Sequence, residues 1–111
     1  MIWTAWNNGK HHSSGAGYGL KVPVEDRDRH FNRSFGTVFV DLQGSGTSIT
    51  VEFNVNKDSF WNQECRELIS KEFGRWMINA GIAPWPSRKP PKFVIDKTDK
   101  RHFILKLLPN C

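Results

Sequence analysis

DSFWNQECRELISKEFGRWMINA, residues 58–80, is the stretch on which the fold turns. Trp61, Cys65, Leu68, Ile69, Phe73, Trp76, Met77 and Ala80 recur at the three- and four-residue intervals that gather side chains on one helix face. Asn56 or Asp58 supplies an oxygen for the opening N–H groups, and Gly81 suits the left-handed position after the last turn. The spacing predicts one long helix over about 58–80. Gly74 sits inside it at a cost on the order of 1 kcal/mol against alanine, so another element is expected to approach closely there.

Upstream, the period changes to two. Val38, Val40 and Leu42 alternate with Phe39 and Asp41, Gly44-Ser45-Gly46 makes a turn, and Ile49, Val51, Phe53 and Val55 alternate with polar residues. That is the pattern of an antiparallel hairpin with one buried face. Ile2–Trp6 reads as a short strand running into Asn-Asn-Gly, and Tyr18, Leu20 and Val22 as a second one that Pro23 stops. Acidic residues open the segment that follows, which suits a short helix near 25–31. Downstream, Ala83–Pro91 holds four prolines and is expected to be a stiff extended connection. Phe93 and Ile95, then Phe103, Leu105 and Leu107, form a last hairpin across Lys97–Arg101. The expected fold is α+β: an antiparallel sheet of four to five strands with the 58–80 helix packed on one face.

A chain of 111 residues fits a single domain, 1–111, around one core. Apolar residues make up 38% and aromatics 13%, enough to build that core and to argue against global disorder. No apolar run approaches the ~18 residues of a membrane span, and Met1 leads into Ile2-Trp3-Thr4-Ala5-Trp6 with no secretory leader pattern. Cys65 and Cys111 do not make a disulfide framework, so a cytoplasmic setting is expected. Five tryptophans are many for so small a core. Trp3, Trp6 and Trp85 have no evident buried partner in the pattern, which favours a contact surface and a homodimer.

Charge is unevenly placed. Residues 1–86 carry nine Lys/Arg and nine Asp/Glu, so the net +5 lies entirely in residues 87–111. There Arg88, Lys89 and Lys92 adjoin Trp85 and the prolines, and Lys100 and Arg101 mark the last hairpin, with Lys97 and Lys106 nearby. Cations interleaved with an exposed aromatic suit a phosphate backbone and a stacked base. Trp85, Arg88, Lys89, Lys92, Lys100 and Arg101 are therefore the expected binding face for a polyanion, most naturally nucleic acid.

The opening loop, NNGKHHSSGAGYGLKV (residues 7–22), raises a second reading. Gly15, Gly17 and Gly19 give G-x-G-x-G, which meets neither the dinucleotide nor the phosphate-loop spacing, so no cofactor is expected. His11 and His12 are adjacent groups able to exchange protons near neutral pH, and Lys10 offers a charge beside them. A metal-independent phosphodiesterase would need that set, and an interaction module without catalysis would need none of it. The spacing of His30, His102, Cys65 and Cys111 matches no metal motif. Asp26-Arg27-Asp28-Arg29-His30 reads as a self-paired solvated face or as an anion anchor through Arg27 or Arg29. Cys65, on the apolar stripe, reads as a small hydrophobe.

The strings WNNGKHHSSGAGYGLKV (6–22), DRDRHF (26–31), SFWNQECRELIS (59–70) and APWPSRKPPKF (83–93) resemble small uncharacterised bacterial proteins carried in mobile-element gene cassettes such as those of integrons. The resemblance implies a bacterial, cytoplasmic accessory protein and assigns no activity to any residue.

Overall fold

A computed structural model describes residues 1–43, 48–86 and 88–107. Seven strands form one sheet: β1 (Ile2–Asn7), β2 (Tyr18–Lys21), β3 (Thr37–Gln43), β4 (Ile49–Asn54), β5 (Glu67–Ile69), β6 (Lys92–Asp99) and β7 (His102–Leu107). Their spatial order is β4-β3-β7-β6-β1-β2-β5, and the sheet curls into a nearly closed barrel. Every neighbouring pair is antiparallel except β3 and β7, which run parallel. The described residues also form three short α-helices, α1 (Val24–His30), α2 (Asp58–Trp61) and α3 (Lys71–Asn79), and a 3-10 turn at Arg33–Phe35.

The expected four- or five-stranded antiparallel sheet under one long helix is therefore wrong. The segment 58–80 is not continuous helix but α2, a turn, β5 and α3 in succession. Asn62 breaks the first turn, because its side-chain oxygen accepts the Glu64 N–H at 2.6 Å and draws the backbone out of helix. Arg66 then takes a left-handed conformation (φ 48°), with its Nε donating to the Val22 carbonyl at 3.0 Å. Glu67–Ile69 pairs with β2, placing Leu68 opposite Leu20. Ser70 restarts the helix by accepting the Phe73 N–H on its hydroxyl.

The apolar spacing is satisfied all the same, by three elements instead of one. Leu68, Phe73, Trp76 and Met77 are core, Trp61 and Cys65 are half-buried, and Ile69, on the alternate side of a strand, is 45% exposed.

The two hairpins have the anticipated strands. Thr37–Gln43 pairs with Ile49–Asn54, and Lys92–Asp99 with His102–Leu107; the 44–46 turn lies outside the described residues. Val38, Val40, Leu42, Val51, Phe53, Phe93, Ile95, Phe103 and Leu105 point inward, where Phe31, Phe60, Phe73 and Trp76 meet them. Trp3 is fully buried in this core, its ring 5.4 Å from Phe103 and its indole N–H donating to Asp26 at 3.2 Å. It is no contact surface.

Helix α1 begins at Val24, close to the expected start; Glu25, Asp28 and Arg29 are exposed, but Arg27 does not belong to that solvated face. Arg27 is 5% exposed and spends its guanidinium on the carbonyls of Phe60 and Asn62, at 3.0 and 2.7 Å, and on Asp28 at 3.0 Å. It also lies over the Trp61 ring. A buried cation needs such partners, and here they tie α1 to the turn that ends α2.

Candidate functional site

The opening loop is ordered by its own polar atoms and by glycine contacts. Asn7 accepts the Gly9 N–H on its side-chain oxygen and donates from its amide nitrogen to the carbonyls of Lys10 and Gly17. The Asn8 side chain accepts the Lys10 N–H. The loop then docks on α3. A Cβ on Gly74 would strike the Gly15 carbonyl and the Tyr18 side chain, and one on Gly15 would strike the Lys71 carbonyl and the Arg75 backbone. The close approach expected at Gly74 is this contact.

Docking fixes Tyr18 at the start of β2, 1% exposed, with its hydroxyl 2.6 Å from His11 Nδ1. His11 stands edge-on to the Trp85 ring at 4.9 Å, and Tyr18 is also edge-on to Trp85 at 5.6 Å. Two rings from the opening loop thus hold the one aromatic of the proline segment, which stays half-buried. Beyond them opens a cleft of about 560 Å³ lined by Ala5, Trp6, Asn7, Gly9, His11, Trp85, Arg88 and Pro90. That volume lies in the range of roughly 300–1,000 Å³ typical of small-ligand sites.

Burial pushes the Tyr18 phenol up from its ordinary value of 10.0, because the phenolate would lose its water. The protonated phenol can donate to Nδ1 or accept a hydrogen from it, according to the tautomer of His11. In the tautomer that accepts at Nδ1 the hydrogen is on Nε2, and His11 then offers the cleft an N–H donor.

The sequence-derived residues are only partly united. His11, Trp85 and Arg88 meet at the cleft. His12 does not line it; its carbonyl accepts the Gly15 N–H and its residue is exposed. Lys10 is exposed on the loop, outside the cleft lining. Lys89 is exposed beside Arg88, and Lys92 opposes Thr4 on the outer face of the sheet. Lys100 and Arg101 belong elsewhere. β6 carries eight residues, so its two ends lie roughly 23 Å apart at ~3.3 Å per residue. At the far end Arg101 donates to the Thr37 carbonyl and hydroxyl and lies over Phe39, and Lys100 lies over Phe35.

Register adds residues that composition does not reveal. Trp3 and Ala5 face the core, so Thr4 and Trp6 face out, and the pairing puts Lys21, Thr4 and Lys92 in one outward row. Lys106 opposes Val94 and stands diagonal to Lys92 on that face. Lys21 is held by Glu67 at 3.3 Å. The ion pairs among the described residues use Lys21, Arg27 and Arg33, which leaves Arg88, Lys89, Lys92 and Lys106 without a carboxylate. Tyr18 is thus the site-forming residue that the linear pattern misses; Trp6 and Lys106 stand out in the sequence as an unpartnered aromatic and as part of the basic end, and the strand alternation is what brings them to this surface.

Among the described residues no cluster of three His, Cys, Asp or Glu side chains is placed to hold a metal ion, and no helix is long and apolar enough to cross a membrane. Comparison of the chain with protein-family models, curated proteins and solved structures finds no match.

Proposed function

We propose that this protein binds single-stranded nucleic acid in the cytoplasm, with little sequence preference, on the outer surface around Trp85, Arg88, Lys89, Lys92 and Lys106. The observation that carries the reading is the meeting of Arg88, without a carboxylate partner among the described residues, with two half-buried tryptophans, Trp6 and Trp85, in one cleft, with Lys92 and Lys106 on the adjoining outward face. Cations follow the phosphate chain and aromatic rings stack on bases, a combination suited to single strands. Lys100 and Arg101 fall outside this surface, and three to four phosphate contacts are expected, from Arg88, Lys89, Lys92 and Lys106.

Anisotropy titration of random single-stranded oligonucleotides at two salt concentrations tests it. Log affinity should fall against log salt with a slope of about −2 to −3, at ~0.7 per contact. Absence of binding at low salt removes the proposal. A homodimer through Trp6 and Trp85 would compete for the same aromatics and would cover the cleft; sedimentation equilibrium with and without oligonucleotide separates the two uses.

A second reading has its own observation. As an imidazolium, His11 would donate its Nδ1–H to the Tyr18 hydroxyl oxygen and turn its Nε2–H to the cleft, where it could protonate a phosphodiester leaving group and return to neutral imidazole. His12 lies outside the cleft, so the adjacent pair does not act as acid and base together. Cleavage of labelled RNA that is lost in His11→Ala and kept in His12→Ala would favour this reading over binding alone.

A further inference from the structure

A surface that only neutralises phosphates has no need of a concavity, yet the basic surface here ends in one. Its walls are unlike the rest of the stripe. Trp85 and Trp6 supply ring area, His11 supplies an imidazole nitrogen that Tyr18 leaves free, and Arg88 lines the concavity in a left-handed backbone conformation (φ 64°). The Asn7 side chain, by contrast, is consumed in the loop through its bonds to Gly9, Lys10 and Gly17 and has little left for a ligand. Gly9 beside it is exposed, and even an added Cβ there would meet nothing within 4 Å. The cleft therefore combines ring surface, one free imidazole nitrogen, open space and one cation.

We infer that the cleft is a pocket for a single unstacked nucleobase: the ring packs against Trp85, a base acceptor atom takes the His11 Nε2–H, and Arg88 holds the adjoining phosphate. The inference rests on the nucleic-acid reading above and adds to it a site for the base. Ring geometry supports the assignment. Trp85 is braced edge-on by His11 at 86° and by Tyr18 at 64°, so it is held in one orientation before any ligand arrives. Preorganised aromatic area is the economical way to gain affinity from stacking. A donor at Nε2 selects bases by their carbonyl or ring-nitrogen acceptors, which every base has, so sequence preference stays weak. Reading is thus of "base present" against "base absent".

The test compares two short oligomers of equal length with the wild-type protein: oligothymidylate and an abasic strand carrying the same phosphates. Oligothymidylate should bind about tenfold more tightly, the equivalent of ~1.4 kcal/mol. Trp85→Ala should remove most of that difference. His11→Ala, a change on an exposed loop, should weaken oligothymidylate by about threefold and serves as the second variant if Trp85→Ala lowers the unfolding midpoint. Equal affinity of the two oligomers for wild type overturns the pocket and leaves phosphate binding standing. A preference that survives both variants in folded protein also overturns it. Binding of neither oligomer overturns both readings.

Discussion

Gly15 and Gly74 touch backbone to backbone, the Gly15 carbonyl occupying the space where any other residue at 74 would carry its Cβ. Alanine in a helix is ordinarily better than glycine by about 1 kcal/mol. Here the sign should reverse. Gly74→Ala must displace the Gly15 carbonyl and the Tyr18 ring, an overpacking expected to cost ~1–3 kcal/mol net. Urea unfolding measures it, and a stabilised variant would mean that the loop does not dock on α3. Because Tyr18 braces His11 and Trp85, the same change should also weaken oligothymidylate more than the abasic strand.

Ser70 separates the two ways of reading residues 58–80. In one continuous helix it is an interior position, where alanine would gain about 0.5 kcal/mol. As the residue whose hydroxyl accepts the Phe73 N–H at the start of α3, it should cost about 1 kcal/mol on replacement by alanine. Leu68→Ala should cost ~2–5 kcal/mol, since Leu68 is fully buried. Denaturation midpoints of the two variants suffice, and a Ser70→Ala protein more stable than wild type would restore the long helix.

That segment also marks the limit of what could be read from the chain. Period-two strands such as Thr37–Gln43 and Lys92–Asp99 are legible because alternation reports one buried face directly. Residues 58–80 mislead because β5 contributes only Leu68 to the core. One inward residue has no period of its own and fits a helical stripe by coincidence. Asn62 and Ser70, a turn former and a helix cap, were the local signs of a break. At the cleft, Trp85 and Arg88 were legible from the basic, proline-rich composition around them and His11 from its chemistry. Their meeting depends on strand order β6-β1-β2, which brings the proline segment beside the opening loop. Lys100 and Arg101 group with them by sequence proximity, but the length of β6 separates them.

Tyr18 is the sole tyrosine of the chain, so its ionisation can be followed alone in the ultraviolet difference spectrum. Burial raises its pKa above 10.0, and phenolate should therefore appear only above that pH in folded protein. The sign for stability follows. Below pH 10 both states hold the proton and Tyr18 contributes no pH dependence; above it the unfolded chain releases the proton first, so stability falls as pH rises toward the folded pKa. Tyr18→Phe should flatten that part of the alkaline decline. Lys57, its pKa lowered mainly by burial, works in the opposite direction, but it is present in both proteins and drops out of their difference. Identical alkaline slopes in wild type and Tyr18→Phe would contradict the burial of the phenol.

Charge reversal at the two ends of β6 tests where the polyanion lies. Lys92 faces outward opposite Thr4, diagonal to Lys106 and close to Trp6 and the cleft, whereas Lys100 sits at the far hairpin over Phe35, roughly 23 Å along the strand. Both are exposed lysines with no carboxylate partner among the described residues, so Glu at either should leave folding within about 0.5 kcal/mol of wild type. They should differ in binding. Lys92→Glu is expected to weaken a short oligothymidylate about tenfold or more and to lower the salt slope by at least ~0.7, the value of one lost phosphate contact. Lys100→Glu should change the affinity of the same oligomer by less than about twofold, since a strand seated at the cleft does not reach it and its field is screened beyond ~10 Å at ordinary salt. Anisotropy titrations at matched ionic strength give both numbers. Equal losses from the two variants would mean that binding follows net charge alone, and a larger loss from Lys100→Glu would move the binding surface to the hairpin with Arg101.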